Sequence, residues 1–179
     1  KKLVMNSGEK VAMRNYFESL PVYSEYFDEA IDAIITAMDS GIRAEKGRVL
    51  LELGATNKDF WFLKDGFLKE MYRSPYSNED SLFNMIRPSS IFVNEDTLFA
   101  NRRPLHYFVA YTSVEILRLK EAEYQKLLQQ YPILINLLYI SGTAEIQRGR
   151  RERLNMLRMN KTPDRIVWVQ QQRRELNQI

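Results

Sequence analysis

Between Glu9 and Ser40, apolar residues recur at spacings of three and four. EKVAMRNYFESL and SEYFDEAIDAIITAMDS each read as an amphipathic helix, with Pro21 between them and Gly41 after the second. The second carries Phe27, Ile31, Ile34, Ile35 and Met38 on one broad face, the pattern of a helix packed on a core. From residue 42 the period shortens. RVLLEL, FWFLKDGFLKEMYRS, SLFNMI, IFV, HYFVAY and VEILRL are short runs punctuated by turn residues, which predicts an antiparallel β-roll over residues 42 to 119. Gly47, Gly54 and Gly66 fall at its corners. Asp65-Gly66, between two runs with β-forming aromatics, reads as a two-residue hairpin turn. EDTLFAN fits a short helical piece with Leu98 and Phe99 tucked inward.

Helical spacing returns in EAEYQKLLQQY, which ends at Pro132, and in a long segment from Ile133 to Arg158. Thr162 before Pro163 and Asp164 is a helix start, with an N-cap oxygen followed by proline at the first position. The fold class is therefore α+β: a β-roll flanked by N-terminal helices and a long C-terminal helix. The expected division is a roll domain over 1–132, a long helix over 133–160 and the start of a further domain over 161–179. In the long helix Leu134, Leu138, Gly142, Ile146 and Gly149 lie near one stripe. A glycine inside a helix costs about 1 kcal/mol relative to alanine, so two on one face ask for close approach of another element. A two-fold self-pairing seam predicts a homodimer with Leu138, Gly142, Ile146 and Gly149 at its interface. The alternative is that the stripe lies on the chain's own roll.

Composition narrows the chemistry. Hydrophobic residues make up 45% of the 179 and aromatic residues 12%, enough for a substantial core. The apolar run from Ile133 to Ile140 is broken by Asn136 and is far shorter than the ~20 residues that cross a bilayer. With no signal-peptide pattern at the start, a cytoplasmic location without membrane partners is expected. There is no cysteine, which excludes disulfides, thiolate zinc sites and cysteine-held iron–sulfur clusters. The one histidine, His106, cannot supply the ligand set of a cupin-like metal enzyme; it reads as a half-buried strand residue hydrogen-bonded to backbone. No phosphate-cradling glycine loop, nucleophile elbow or two-histidine helix motif occurs, so neither a catalytic residue nor a metal site is nominated and an enzyme is not expected. Charge is uneven. Residues 141–179 hold nine Lys and Arg against four Asp and Glu, a balance of +5, whereas the first 140 residues carry −2. A basic tail of this kind suits either phosphate attraction or a solvated helix face.

The order of parts resembles the cyclic-nucleotide-binding domain, a double-stranded β-helix, of the Crp/Fnr transcription regulators. The likeness spans about residues 22 to 175 and rests on Lys46-Gly47, Leu50, Gly54, Phe62 and Gly66, then on Val114-Glu115-Ile116-Leu117 and the acidic-aromatic helix start from Glu121 to Tyr124. It implies a ligand-sensing, dimerising region of a regulator, with a small-molecule effector and with DNA contacted through a C-terminal helix-turn-helix domain not present in this chain. A non-DNA-binding sensing or dimerisation module on the same fold is the alternative.

In cAMP-binding members of that family a Gly-Glu pair contacts the ribose, and ten residues after the Glu an Arg clamps the cyclic phosphate. The resemblance puts Val93-Asn94 at the first pair and Pro104-Leu105 at the arginine and its neighbour. Asn94 is not a carboxylate, and Pro104 offers neither charge nor an N–H. Glu95 stands one residue late; Arg102 and Arg103 stand one or two early. Sliding a strand by one residue reverses its side-chain direction, so these neighbours do not simply substitute. The seven residues from Val93 to Glu95 and Arg102 to Leu105 therefore outline a degenerate pocket, where cAMP and cGMP are not expected to bind in the family's usual way.

Overall fold

The computed structural model describes residues 5–158 apart from Leu53, together with Pro163, Ile166, Val167 and Gln170. It divides into two compact units, residues 1–146 and 147–179. The first begins with α1 (Ser7–Glu18), whose start is fixed by a reciprocal cap. Oδ1 of Asn6 accepts from the Glu9 backbone N–H at 2.9 Å, and the Glu9 carboxylate accepts from the Asn6 N–H at 2.8 Å. A 3-10 turn at Glu25–Phe27 leads into α2 (Asp28–Ala37). The expected apolar face is buried in full, from Phe27 through Ile31, Ile34 and Ile35 to Met38 just past the helix end.

Eight strands follow: β1 (Asp39–Ala44), β2 (Val49–Leu51), β3 (Phe60–Asp65), β4 (Leu68–Arg73), β5 (Asp80–Ile86), β6 (Ser90–Phe92), β7 (His106–Ala110) and β8 (Val114–Leu119). They form two antiparallel four-stranded sheets, ordered β1-β8-β3-β6 and β2-β7-β4-β5. The short α3 (Glu95–Leu98) sits between β6 and β7, and α4 (Glu121–Gln130) and α5 (Leu134–Arg158) follow β8.

The first sheet is buried on both faces. Phe60, Phe62, Leu117 and Leu119 point into a core shared with α1, α2, α4 and the first turns of α5, while Trp61, Leu63 and Ile116 point between the sheets. This explains why FWFL reads as an unbroken apolar run rather than an alternation. The second sheet has one buried face, lined by Leu68, Ile86, Phe108 and Ala110.

One turn differs from the sequence expectation. β3 and β4 do not pair, so Asp65-Gly66 is not a hairpin turn but the corner where the chain leaves one sheet for the other. Gly66 does take a positive φ of 80°, and a Cβ there would lie 2.2 Å from the Ser113 carbonyl oxygen. Glycine is required by that close approach, not by a two-residue loop.

The long helix is α5, and the stripe on its first half is already occupied. Leu134, Leu137 and Leu138 are buried in the chain's own core, and a Cβ on Gly142 would stand 3.2 Å from the Val93 side chain and 3.5 Å from Phe60. In this stretch the glycine admits the roll against the helix. The side chain of Ile146 and most of residues 159–179 lie outside the described residues, including the N-cap Thr162; Pro163, Ile166, Val167 and Gln170 are helical and exposed. Among the described residues no helix is long and apolar enough to cross a membrane.

Candidate functional site

The segment from Val93 to Leu105 leaves the first sheet after β6, makes α3 and returns to the second sheet as β7. Val93 is buried against Gly142 and belongs to the core. Asn94 is buried and caps α3, its Oδ1 accepting from the Thr97 N–H at 3.3 Å. Both residues are thus committed to structure: one packs a helix, the other starts one. Glu95 is half-buried in the first turn of α3. Leu98 packs partly on the helical core, but Phe99 stays exposed instead of tucking inward, stacked edge to face on Tyr139 with centroids 4.8 Å apart.

The return loop is shaped by backbone bonds, with the Arg102 N–H donating to the Asp96 carbonyl at 2.7 Å. Arg102 and Arg103 are exposed. The Arg103 guanidinium lies over Gly54 in the β2–β3 loop, where a Cβ would fall 2.7 Å from its Nε. Pro104 is buried and Leu105 exposed. Position 104 therefore presents a proline ring to the interior, and the two arginines beside it stand in solvent.

A polar group inside the roll escaped the sequence reading. Strand alternation puts Glu70 two residues beyond Leu68, Asn84 two before Ile86 and His106 two before Phe108, so all three share the buried face of the second sheet. The Glu70 side chain is only 5% exposed. Its Oε1 lies 3.1 Å from Nδ1 of His106, and its Oε2 is buried with no hydrogen-bond partner among the described residues. Phe83 packs edge-on against the imidazole at 4.4 Å. His106 is indeed half-buried on a strand, but its neighbour is a carboxylate rather than backbone. The available signal was Glu70 alternating with apolar Leu68 in a run read as a strand. Among the described residues no cluster of His, Asp and Glu is placed to hold a metal ion.

Solved structures share this architecture. A cyclic nucleotide-binding domain from Methylobacillus flagellatus superposes with a TM-score of 0.64 at 14% identity, over 82% of this chain and 78% of that one. The fold is that of a cyclic-nucleotide-binding domain. The N-terminal domain of a transcriptional regulator from Streptomyces coelicolor matches with a TM-score of 0.57 at 20% identity, over 82% of this chain and 98% of that one. The catabolite activator protein of Thermus thermophilus matches with a TM-score of 0.54 at 16% identity, over 79% of this chain and 62% of that one. Against two protein kinase A regulatory chains, both with cAMP, the chain spans 43% and 46% of their length. No family model matches the sequence, and no curated protein matches it.

Proposed function

We propose that this chain is the sensory and dimerising region of a transcription regulator of the Crp/Fnr kind, and that its roll does not take cAMP or cGMP through a phosphate–arginine clamp. The carrying observation is the pocket segment itself, with Pro104 buried where a cation would be needed and Glu70 buried on the roll's inner face. A cyclic phosphate entering the roll would lose water without gaining a charge-assisted hydrogen bond. The regulator role is supported by likeness to a transcriptional regulator's N-terminal domain and to a catabolite activator protein. The roll also runs into the 25-residue helix α5, whose second half carries Arg148, Arg150, Arg151, Arg153 and Arg158. On this reading the roll senses a small molecule, and the regulator it belongs to contacts DNA.

Self-association belongs to α5 beyond Gly142, because Leu138 and Gly142 are spent on the roll. Ile146 and Gly149 continue the same stripe, and Leu154 is exposed further along. Isothermal titration with cAMP and cGMP tests the ligand half: no heat at micromolar concentrations is expected, and saturable micromolar binding would overturn it. Light scattering tests the other half, with a dimer expected; a monomer at high micromolar concentration removes the dimer.

A further inference from the structure

A cavity of about 460 Å³ opens between the end of α3, helix α4 and the first turns of α5, over Phe60 of β3. Four rings wall it, in two edge-to-face pairs. Phe60 meets Tyr124 with centroids 5.2 Å apart, and Phe99 meets Tyr139 at 4.8 Å. Among the described residues, the polar side chains on the wall besides the tyrosine hydroxyls are two neutral amides, Gln125 and Asn136, and no lining residue carries a charge. Nε2 of Gln125 donates to the Tyr124 hydroxyl at 3.0 Å, which leaves that hydroxyl's hydrogen for an acceptor. Burial pushes the Tyr124 phenol up, as expected in apolar surroundings.

Around the rim, Phe99 is 41%, Ile135 60% and Tyr139 53% exposed. Single exposed apolar residues are ordinary, but several gathered on one concavity mark a surface that gains by being filled. The volume falls within the roughly 300–1,000 Å³ of small-molecule sites. It is too small for a helix, about 10–12 Å across with its side chains. Rings from β3, α4, α5 and the end of α3 gather round the space, an arrangement that suits edge and face contacts with a flat aromatic occupant. The uncharged wall rejects an ionic occupant, whose desolvation nothing would offset.

We propose that this crevice is a binding site for a small, flat, uncharged aromatic molecule of two or three rings with one neutral polar group held by Tyr124, Gln125 or Asn136. That its occupant is the regulator's effector rests on the sensing reading above; the binding itself does not.

The test uses the full chain and two fluorescent probes that differ by one charge, N-phenyl-1-naphthylamine and its 8-sulfonate. The neutral probe is expected to bind once per chain, saturably, in the micromolar range, and at least tenfold tighter than the sulfonate. Ile135→Trp plugs the mouth from an exposed position and is expected to weaken the neutral probe at least tenfold with the thermal midpoint unchanged; Phe99→Ala is expected to weaken it several-fold. Equal binding of both probes overturns the proposal, as does an unchanged affinity in both variants. Loss of the neutral probe's signal as the chain self-associates also overturns it, because the crevice would then belong to a second copy. Cyclic nucleotide binding would sink the functional reading and leave this site standing, so the two failures are distinguishable.

Discussion

Replacing Gly66 by alanine places a methyl group where the fold leaves no room. At φ 80° an L-residue pays about 1–2 kcal/mol for the left-handed backbone. The new Cβ would also stand 2.2 Å from the Ser113 carbonyl oxygen and 2.9 Å from Cγ1 of Val114, so the β3–β4 corner must retreat from the β7–β8 turn by about 1 Å. Forced repacking of that kind costs roughly 1–3 kcal/mol. The retreat strains two bonds that join these turns, from the Tyr111 N–H to the Phe67 carbonyl at 2.8 Å and from the Phe67 N–H to Oγ1 of Thr112 at 2.9 Å; each contributes about 1 kcal/mol. The expected loss is therefore about 3–5 kcal/mol, a drop in midpoint on the order of 10 °C for a chain of this size. Gly47→Ala is the matched control. Gly47 has φ 88° but nothing within 4 Å of its would-be Cβ, so only the backbone cost of about 1–2 kcal/mol should appear. Urea unfolding followed by tryptophan fluorescence reads both, since Trp61 is buried and stacked on Phe92. Equal losses in the two variants would refute the claim that the Ser113 contact demands glycine at 66 beyond what the backbone conformation already asks.

Two further outcomes follow from long-range contacts. Gly142→Leu should cost about 2–3 kcal/mol at every protein concentration, because even a methyl group meets Val93 at 3.2 Å; Gly142→Ala should stay within about 1 kcal/mol, its helix propensity offsetting the crowding. A loss that appears only at concentrations where the chain associates would return Gly142 to a dimer seam. His106→Ala should cost about 1–3 kcal/mol by leaving the buried Glu70 carboxyl group without its polar neighbour at 3.1 Å, whereas the apolar pair Glu70→Leu with His106→Phe should recover most of it. Additive losses in a double-mutant cycle from chemical denaturation would show that the two side chains do not act as a pair.

What the sequence determined by itself is what local physics decides. Phe27, Ile31, Ile34, Ile35 and Met38 announce their face through periodicity alone, and Gly47, Gly54 and Gly66 mark corners because positive φ is a property of one residue. The succession of helices, short strands and a long helix follows from the same rules, which made the roll legible and its likeness to a known architecture visible. At position 104, a proline lacks charge and N–H in any fold, so what that residue withholds was also legible. Tertiary structure decided which surfaces meet. Asp65-Gly66 has the composition of a hairpin turn, yet β3 finds β8 and β6 while β4 finds β5 and β7, a choice made by partners distant in sequence. A stripe of Leu138 and Gly142 is equally suited to a second helix or to its own roll; the Val93 and Phe60 side chains, tens of residues away, occupy it. The same holds for Glu70, whose strand position predicts only a face, and for Phe99, which turns outward to Tyr139. Periodicity fixes the direction in which a side chain points along its own element, whereas the identity of what it meets depends on contacts across the chain that no local pattern encodes.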